Sequence, residues 1–215
     1  AQGFAVLHLN YRGSCGAGRS HRRALDGGWG ERDVADVVDA VAAMALRGFA
    51  TERTIVRGSS AGGFTVLGAM ASPDGPRIGI DRFGPSDLLQ LARQTHRFEA
   101  RYIDSLVAPL PHGAALYRAR SPLTKANALR GDLLILQGSR DEVVPRAQSI
   151  AIAEAATNAR VTLVEFPHEA HGFRSAFAIA RALEIELAFV RRALGLAGSA
   201  ALPSWPNVMI EEPHP

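Results

Sequence analysis

Short apolar runs with the length of β-strands alternate along this chain with longer segments whose apolar residues recur every three or four positions. The short runs are continuously apolar, which is typical of strands that are buried on both faces. They occupy residues 4–10, 54–57, 77–83, 132–137 and 161–166. This alternation predicts an α/β fold in which a mostly parallel sheet is covered by helices on both faces.

The longer segments predict amphipathic helices between the strands. Residues 32–47 are one example, because valines and a methionine recur there at spacings of three and four, and Gly48 is placed to end the helix. The other predicted helices cover residues 61–71, 87–93, 96–107, 146–158 and 173–194. In the last of these, the spacing predicts one apolar face made of Phe177, Ala180, Leu183, Leu187 and Val190. Residues 11–30, with six glycines, are expected to form a long loop.

Composition and charge exclude several classes of protein. A chain of 215 residues with 47% apolar residues is expected to fold as one soluble globular domain. Its single cysteine, Cys15, rules out an internal disulfide and any cysteine-based zinc site. Its 24 basic and 21 acidic residues are interspersed, without the basic stripe that is typical of nucleic-acid binding. No membrane span is predicted, because prolines interrupt the longest uncharged run, residues 193–210.

A glycine-rich turn, residues 58–63 (GSSAGG), directly follows the second predicted strand. Ser60 is the residue that fits the middle of the pattern Gly-x-Ser-x-Gly. A strand that turns at once into a helix holds such a serine in a strained conformation and exposes its hydroxyl at the sheet edge. The residues two positions away on either side are expected to lack side chains, because strand and helix nearly touch there. Ser60 is therefore the predicted nucleophile, and the N–H of Ala61 at the helix start is the predicted oxyanion donor.

A serine nucleophile needs a base, and the base needs a carboxylate that orients it. Asp141 follows the fourth predicted strand and His171 follows the fifth, so both lie at the edge of the sheet where Ser60 is expected. The order serine, acid, histidine is that of α/β-hydrolases. Glu142 is an alternative acid and His168 an alternative base. No cluster of His, Asp or Glu has metal-ligand spacing and no phosphate-binding loop occurs, so neither a metal nor a cofactor is predicted.

Taken together, these motifs resemble the catalytic domain of the prolyl oligopeptidase family. The resemblance rests on residues 10–14 (NYRGS), 29–33 (WGERD) with Asp36, 58–63, 137–145 (QGSRDEVVP) and 169–173 (EAHGF). Residues 96–102 (HRFEARY), with Tyr117 and the pair Ser121-Pro122, are most similar to the acylaminoacyl-peptidase and dipeptidyl-aminopeptidase branch. The resemblance implies that residues 1–196 are an α/β-hydrolase catalytic domain and leaves residues 197–215 as a proline-rich C-terminal tail.

This resemblance implies a serine peptidase that hydrolyses peptide bonds of short peptides through an acyl-enzyme intermediate and needs no cofactor. In this interpretation Ser60, Asp141 and His171 form the catalytic triad. Phe98 and Tyr102 are candidate walls of the substrate pocket, although their spacing equally fits one apolar face of a helix.

Members of the family usually carry a β-propeller before this domain, so the resemblance implies a β-propeller upstream in a longer parent protein. It also implies that N-terminal strands of the sheet, and a loop that supplies part of the oxyanion hole, precede residue 1. One of those strands belongs between residues 4–10 and residues 54–57, so these two segments are expected to lie roughly 10 Å apart with a gap between them. The isolated chain is then expected to be poorly soluble and inactive.

Three other interpretations stay open. The same fold and triad would serve an esterase or another small-molecule hydrolase. A non-catalytic fragment or assembly module is a second alternative, because the oxyanion loop is not among these residues. A nucleic-acid binder is a remote third. A single cysteine fits a reducing compartment, so a cytoplasmic location is expected, and a homo-oligomer remains among the options for assembly.

Overall fold

Five strands form one sheet in the computed structural model, which describes residues 3–94, 102–196 and 209–211. The strands follow chain order across the sheet, and they are β1 (Ile55–Ser59), β2 (Ile78–Arg82), β3 (Gly131–Gly138), β4 (Ala159–Phe166) and β5 (Met209–Glu211). The pairs from β1 to β4 are parallel and β5 is antiparallel to β4. The predicted α/β class, with a contiguous four-stranded parallel block, is therefore confirmed.

The described residues also form α-helices, most of which connect the strands. They are α1 (Gly18–Arg23), α2 (Arg32–Ala45), α3 (Ala61–Met70), α4 (Leu88–Gln94), α5 (Tyr102–Leu106), α6 (Ala114–Arg120), α7 (Arg146–Ala155) and α8 (Ala176–Ala193). Two 3₁₀ segments, Thr51–Arg53 and Pro122–Ala128, complete the connections. Helix α1 lies inside the segment predicted to be a loop, and β5 lies inside the predicted tail.

Strand β3 shows why the predicted strands are continuously apolar. Leu133 and Ile135 pack in a cluster with residues of α3 and α7, whereas Leu134 and Leu136 pack in a second cluster with residues of α8. Successive side chains of a strand point to opposite faces of the sheet, so each position from Leu133 to Leu136 packs against a helix. The sheet is therefore covered on both faces, as the sequence predicts.

The buried face of α8 differs from the predicted one. Its buried residues are Ala178, Ala182, Ile185, Glu186 and Phe189, whereas Phe177 and Leu183 are 50% and 53% exposed. The reason is Glu186, whose carboxylate accepts hydrogen bonds from the guanidinium groups of Arg57 on β1 and Arg82 on β2. A helix that turns this glutamate toward the sheet must turn part of the predicted apolar stripe toward solvent.

Residues 4–10 do not form the predicted strand. They pair with no strand of the described residues, and Phe4, Val6, Leu7 and Leu9 are exposed. A strand needs a neighbour that pairs with its backbone groups, and within the described residues β1 pairs with β2 alone. The expectation that residues 4–10 do not pair directly with β1 holds, but the buried strand itself was a wrong prediction.

Candidate active site

Ser60 occupies the turn between β1 and α3 with a backbone conformation that residues with a side chain rarely adopt. Its φ and ψ angles are 54° and −120°. The strain is held in place from both sides, because the Ser60 N–H donates to the Arg82 carbonyl at 2.9 Å and the Ser60 carbonyl accepts the Phe64 N–H at 3.1 Å. The sharp strand-to-helix turn predicted from the sequence is therefore present.

The glycines of this turn have different roles. A Cβ on Gly58 would lie 2.2 Å from the Gly62 carbonyl oxygen, and a Cβ on Gly63 would lie 2.0 Å from Asp81 Oδ1. Both positions therefore require glycine. A Cβ on Gly62 would meet no atom within 4 Å. The steric expectation is right for Gly58 and wrong for Gly62, and the close approach on the helix side occurs one residue later, at Gly63.

Ser60, His171 and Asp141 form a continuous line of hydrogen bonds at the carboxyl ends of β1, β4 and β3. His171 Nε2 lies 2.8 Å from Ser60 Oγ, and His171 Nδ1 lies 2.8 Å from Asp141 Oδ2. The side chain of Asp141 is fully buried, while that of His171 is 21% exposed. The structure thus brings together the three residues that the sequence predicts.

The hydrogen bonds around Asp141 fix which of its oxygens faces the imidazole. Asp141 Oδ1 accepts the backbone N–H groups of Val143 at 2.9 Å and Val144 at 2.8 Å. Oδ2 is therefore left to accept the Nδ1–H of His171. That bond places the imidazole proton on Nδ1 and leaves Nε2 as the acceptor for the Ser60 hydroxyl.

The alternative residues are placed elsewhere. Glu142 is exposed, and in the described part of the chain neither Glu142 nor His168 has a hydrogen bond to Ser60, Asp141 or His171. His168 instead donates its backbone N–H to Ser139 Oγ at 3.0 Å, from a turn in which its own φ is 70°.

An aromatic contact that the sequence analysis missed supports the imidazole of His171. The ring of Phe83, directly after β2, lies 4.8 Å from the His171 ring in an edge-on arrangement. Phe173 continues this packing, at 5.6 Å from Phe83 and 4.5 Å from Phe166. The position of Phe83 in the sequence could have indicated this contact, because Phe83 follows a strand and so lies at the same sheet edge as the three site residues.

Glu169 holds the loop that carries His171. Its carboxylate accepts the backbone N–H of Arg174 at 2.7 Å and the hydroxyl of Ser175 at 2.5 Å. Burial alone would raise the pKa of Glu169, but the hydrogen bonds from Ser175 and Arg174 outweigh burial and lower it. The ionised form is thus favoured, and it ties the two ends of the loop together on either side of His171.

The remaining predicted site residues have separate outcomes. Ala61 is the first residue of α3, so its N–H is one of those that the helix cannot satisfy internally. Phe98 lies outside the described residues. Tyr102 begins α5 and is 64% exposed, while Ile103 and Leu106 form the buried side of that helix. The pocket role of Phe98 and Tyr102 stays a prediction.

Within the ranges that the structure describes, no three His, Cys, Asp or Glu side chains are grouped so that they could hold a metal ion. None of the helices in those ranges combines the length and the apolar character that crossing a membrane requires.

The chain is similar to known proteins over most of its length. Residues 1–197 match the model that describes the prolyl oligopeptidase family. Dipeptidyl aminopeptidase BIII of Pseudoxanthomonas mexicana is 36% identical over 181 residues, which are 80% of this chain and 26% of that protein. The acylamino-acid-releasing enzyme of Sus scrofa is 30% identical over 182 residues, with 79% and 24% covered.

A solved structure of a puromycin-hydrolyzing peptidase of Mycobacterium tuberculosis superposes with a TM-score of 0.85 at 40% identity. The superposition covers 93% of this chain and 30% of that one. The chain thus spans about a quarter to a third of the length of these relatives.

Proposed function

Because the chain belongs to the prolyl oligopeptidase family, we propose that it supplies the catalytic domain of a serine peptidase that hydrolyses peptide bonds of short peptides. The observation that best supports this proposal is the line of hydrogen bonds from Asp141 through His171 to Ser60, with both bonds at 2.8 Å. In the proposal Ser60 is the nucleophile, His171 is the general base and then the general acid, and Asp141 orients the imidazole.

The mechanism follows from these contacts. His171 Nε2 removes the proton of the Ser60 hydroxyl while Oγ attacks the carbonyl carbon of the substrate. The imidazolium that forms is stabilised by the buried carboxylate of Asp141. His171 then gives the proton to the leaving amine, and a water molecule, activated in the same way, hydrolyses the acyl-enzyme.

The N–H of Ala61 is the proposed donor to the oxyanion. It lies at the positive end of the α3 dipole, directly after the nucleophile. A donor at this position stabilises negative charge only as that charge develops in the transition state, which is where such stabilisation accelerates the reaction.

The names of the relatives support an aminoacyl amide as the substrate class, since they refer to release of dipeptides, release of acylated amino acids and hydrolysis of puromycin. For this chain we propose a short peptide cleaved beside an aminoacyl unit. We also propose that the catalytic domain covers residues 1–196 and works together with a β-propeller in a longer protein. The cytoplasmic location and the homo-oligomer stay predictions.

Two substrates that share one acyl group separate a peptidase from an esterase. The full-length protein should hydrolyse an aminoacyl anilide, and a fluorophosphonate that modifies the active serine should remove that activity. The matched aminoacyl ester serves as the control, since a serine peptidase also hydrolyses esters. Hydrolysis of the ester without the anilide would favour the esterase. A protein that hydrolyses neither and does not react with the fluorophosphonate would favour a non-catalytic role.

Glu169→Gln should lower kcat/KM for the anilide roughly tenfold, because an amide accepts fewer of the hydrogen bonds that hold the His171 loop. Glu184→Gln is the matched control, since Glu184 is exposed and pairs with Arg181 one turn away on α8. Steady-state kinetics of the two variants measure the difference. Equal kcat/KM values for both would contradict the role of Glu169.

The carboxylate of Glu169 should also make the stability of the protein depend on pH. The pKa of Glu169 is lower in the folded state than in the unfolded state. Ionised Glu169 therefore stabilises the fold at a pH above its unfolded-state pKa, and this stabilisation is lost as the pH falls through its folded-state pKa. Wild type should therefore lose more stability than Glu169→Gln on acidification below about pH 4.5, the ordinary pKa of glutamate. Unfolding midpoints measured between pH 3 and 6 test this expectation.

A further inference from the structure

Asp81 is a buried carboxyl group that the proposed mechanism does not use. It lies in β2 near the carboxyl end of the strand and has no exposed surface. Its Oδ1 accepts the backbone N–H of Gly84 at 2.8 Å. Its Oδ2 is buried and has no hydrogen-bond partner among the described residues. A buried carboxyl oxygen without a partner is costly, so its position calls for an explanation.

The carboxyl group of Asp81 packs against the helix that begins at the proposed nucleophile. A Cβ on Gly63 would lie 2.0 Å from Asp81 Oδ1, so this oxygen lies against the first turn of α3. Ala61, the proposed oxyanion donor, is two residues earlier in the same turn, which places it roughly 5–10 Å from the carboxyl group. The neighbour of Asp81 in β2, Arg82, accepts the Ser60 N–H through its carbonyl.

Among the residues that the structure describes, no positive charge balances Asp81 from the elements packed around it. In the sheet, Asp81 lies beside Gly58 of β1 and Ile135 of β3, and Gly63 of α3 packs against its carboxyl group. None of these three residues titrates. The guanidinium of the adjacent Arg82 instead binds Glu186 of α8. Burial raises the pKa of Asp81 to about 7, with the Gly84 N–H as the opposing influence. Near neutral pH the carboxyl group therefore exists in both protonation states.

We propose that Asp81 is a positioning residue that must be neutral for acyl transfer, so that its ionisation slows the reaction as the pH rises. This inference rests on the proposed serine peptidase function. A negative charge on Asp81 and the oxyanion of the transition state compete for the positive end of the same helix, α3. In a buried site the two like charges also repel each other more strongly than they would in water.

The inference predicts a bell-shaped dependence of kcat/KM on pH. The rising limb reflects the need for an unprotonated general base in the attack on the substrate. The falling limb comes from ionisation of Asp81 and should lower kcat/KM roughly tenfold, the effect of a unit charge on the order of 10 Å away at an effective dielectric constant of about 20.

The deciding experiment is the pH profile of Asp81→Asn in the full-length protein between pH 5.5 and 9.5, followed by anilide hydrolysis and by the rate of fluorophosphonate labelling. Asparagine keeps the acceptor for the Gly84 N–H and cannot ionise. We expect the rising limb to persist and the falling limb to disappear. Asp132→Asn is the matched control, since Asp132 lies near the start of β3, at the opposite edge of the sheet from Ser60, where its carboxylate pairs with Arg160. It should retain both limbs.

A falling limb that persists in Asp81→Asn, or a wild-type profile without one, would overturn the inference. If Asp81→Asn does not fold, Asp81→Ser tests the same loss of charge with a smaller side chain. A wild-type protein that does not react with the fluorophosphonate at any pH would instead refute the proposed function.

The dependence of protein stability on pH gives a second measurement. The folded-state pKa of Asp81 is raised, so wild type should lose stability as the pH rises from about 4 to about 7, and Asp81→Asn should lose less.

Discussion

Ser60→Ala is expected to lower the kcat of the full-length protein about 10⁴- to 10⁶-fold, the loss typical of a missing triad residue. Alanine has no oxygen that can attack the substrate or accept the acyl group. The fold should be unaffected, because the backbone hydrogen bonds that hold this turn do not involve the hydroxyl. Anilide hydrolysis and labelling by a fluorophosphonate, which bonds to the serine oxygen with loss of fluoride, measure the effect.

Ser59→Ala is the matched control for this experiment. Ser59 is the preceding residue, lies at the end of β1 and is exposed, so the variant loses the same group one position away. It should keep its labelling and most of its activity. If Ser60→Ala retained more than a few per cent of wild-type kcat, or if labelling were lost in Ser59→Ala instead, Ser60 would not be the nucleophile.

His171→Gln is expected to have the second largest effect, also about 10⁴-fold or more in kcat. Glutamine occupies a similar volume but cannot take the proton of Ser60 and pass it to the leaving amine. His168→Gln removes the other histidine of the same loop. It should leave most of the activity, because the described hydrogen bond of His168 is donated by its backbone N–H, to Ser139. Steady-state kinetics of the two variants, measured under the same conditions, allow a direct comparison. The opposite ranking would identify His168 as the base.

The parallel sheet could be predicted because its strands meet helices on both sides. Every residue of β3 from Leu133 to Leu136 is buried, so the run is uniformly apolar and easy to identify. Residues 4–10 carry the same apolar pattern but belong to no strand of the described sheet. An apolar pattern indicates that a segment can be buried, but it does not indicate whether a neighbouring strand is present to pair with it. The face of α8 was mispredicted because its orientation depends on an ion pair between Glu186 and two distant arginines.

Some residues of the candidate site could likewise be predicted from the sequence, and others could not. Ser60 and Ala61 follow from a local rule about a strand that turns into a helix. Asp141 and His171 follow from topology, because parallel strands deliver their carboxyl ends to one edge. Phe83 and Asp81 could not be assigned roles from the sequence, because each acts on residues that only the folded chain brings near, and Glu169 could not, because its role depends on the shape of the loop that it closes. Of these, Glu169 alone lay within a motif, and the motif did not say what its carboxylate binds.

The conformation of Ser60 has a consequence for how this position evolves and how it can be engineered. At φ 54° and ψ −120° a side chain costs on the order of 1–3 kcal/mol, whereas glycine adopts such angles with little strain. Selection for stability alone therefore favours glycine at position 60, and a serine there indicates selection for the hydroxyl group. A screen for thermostable variants that does not also measure activity will favour Ser60→Gly, and it will enrich chains that fold better and have lost the proposed nucleophile.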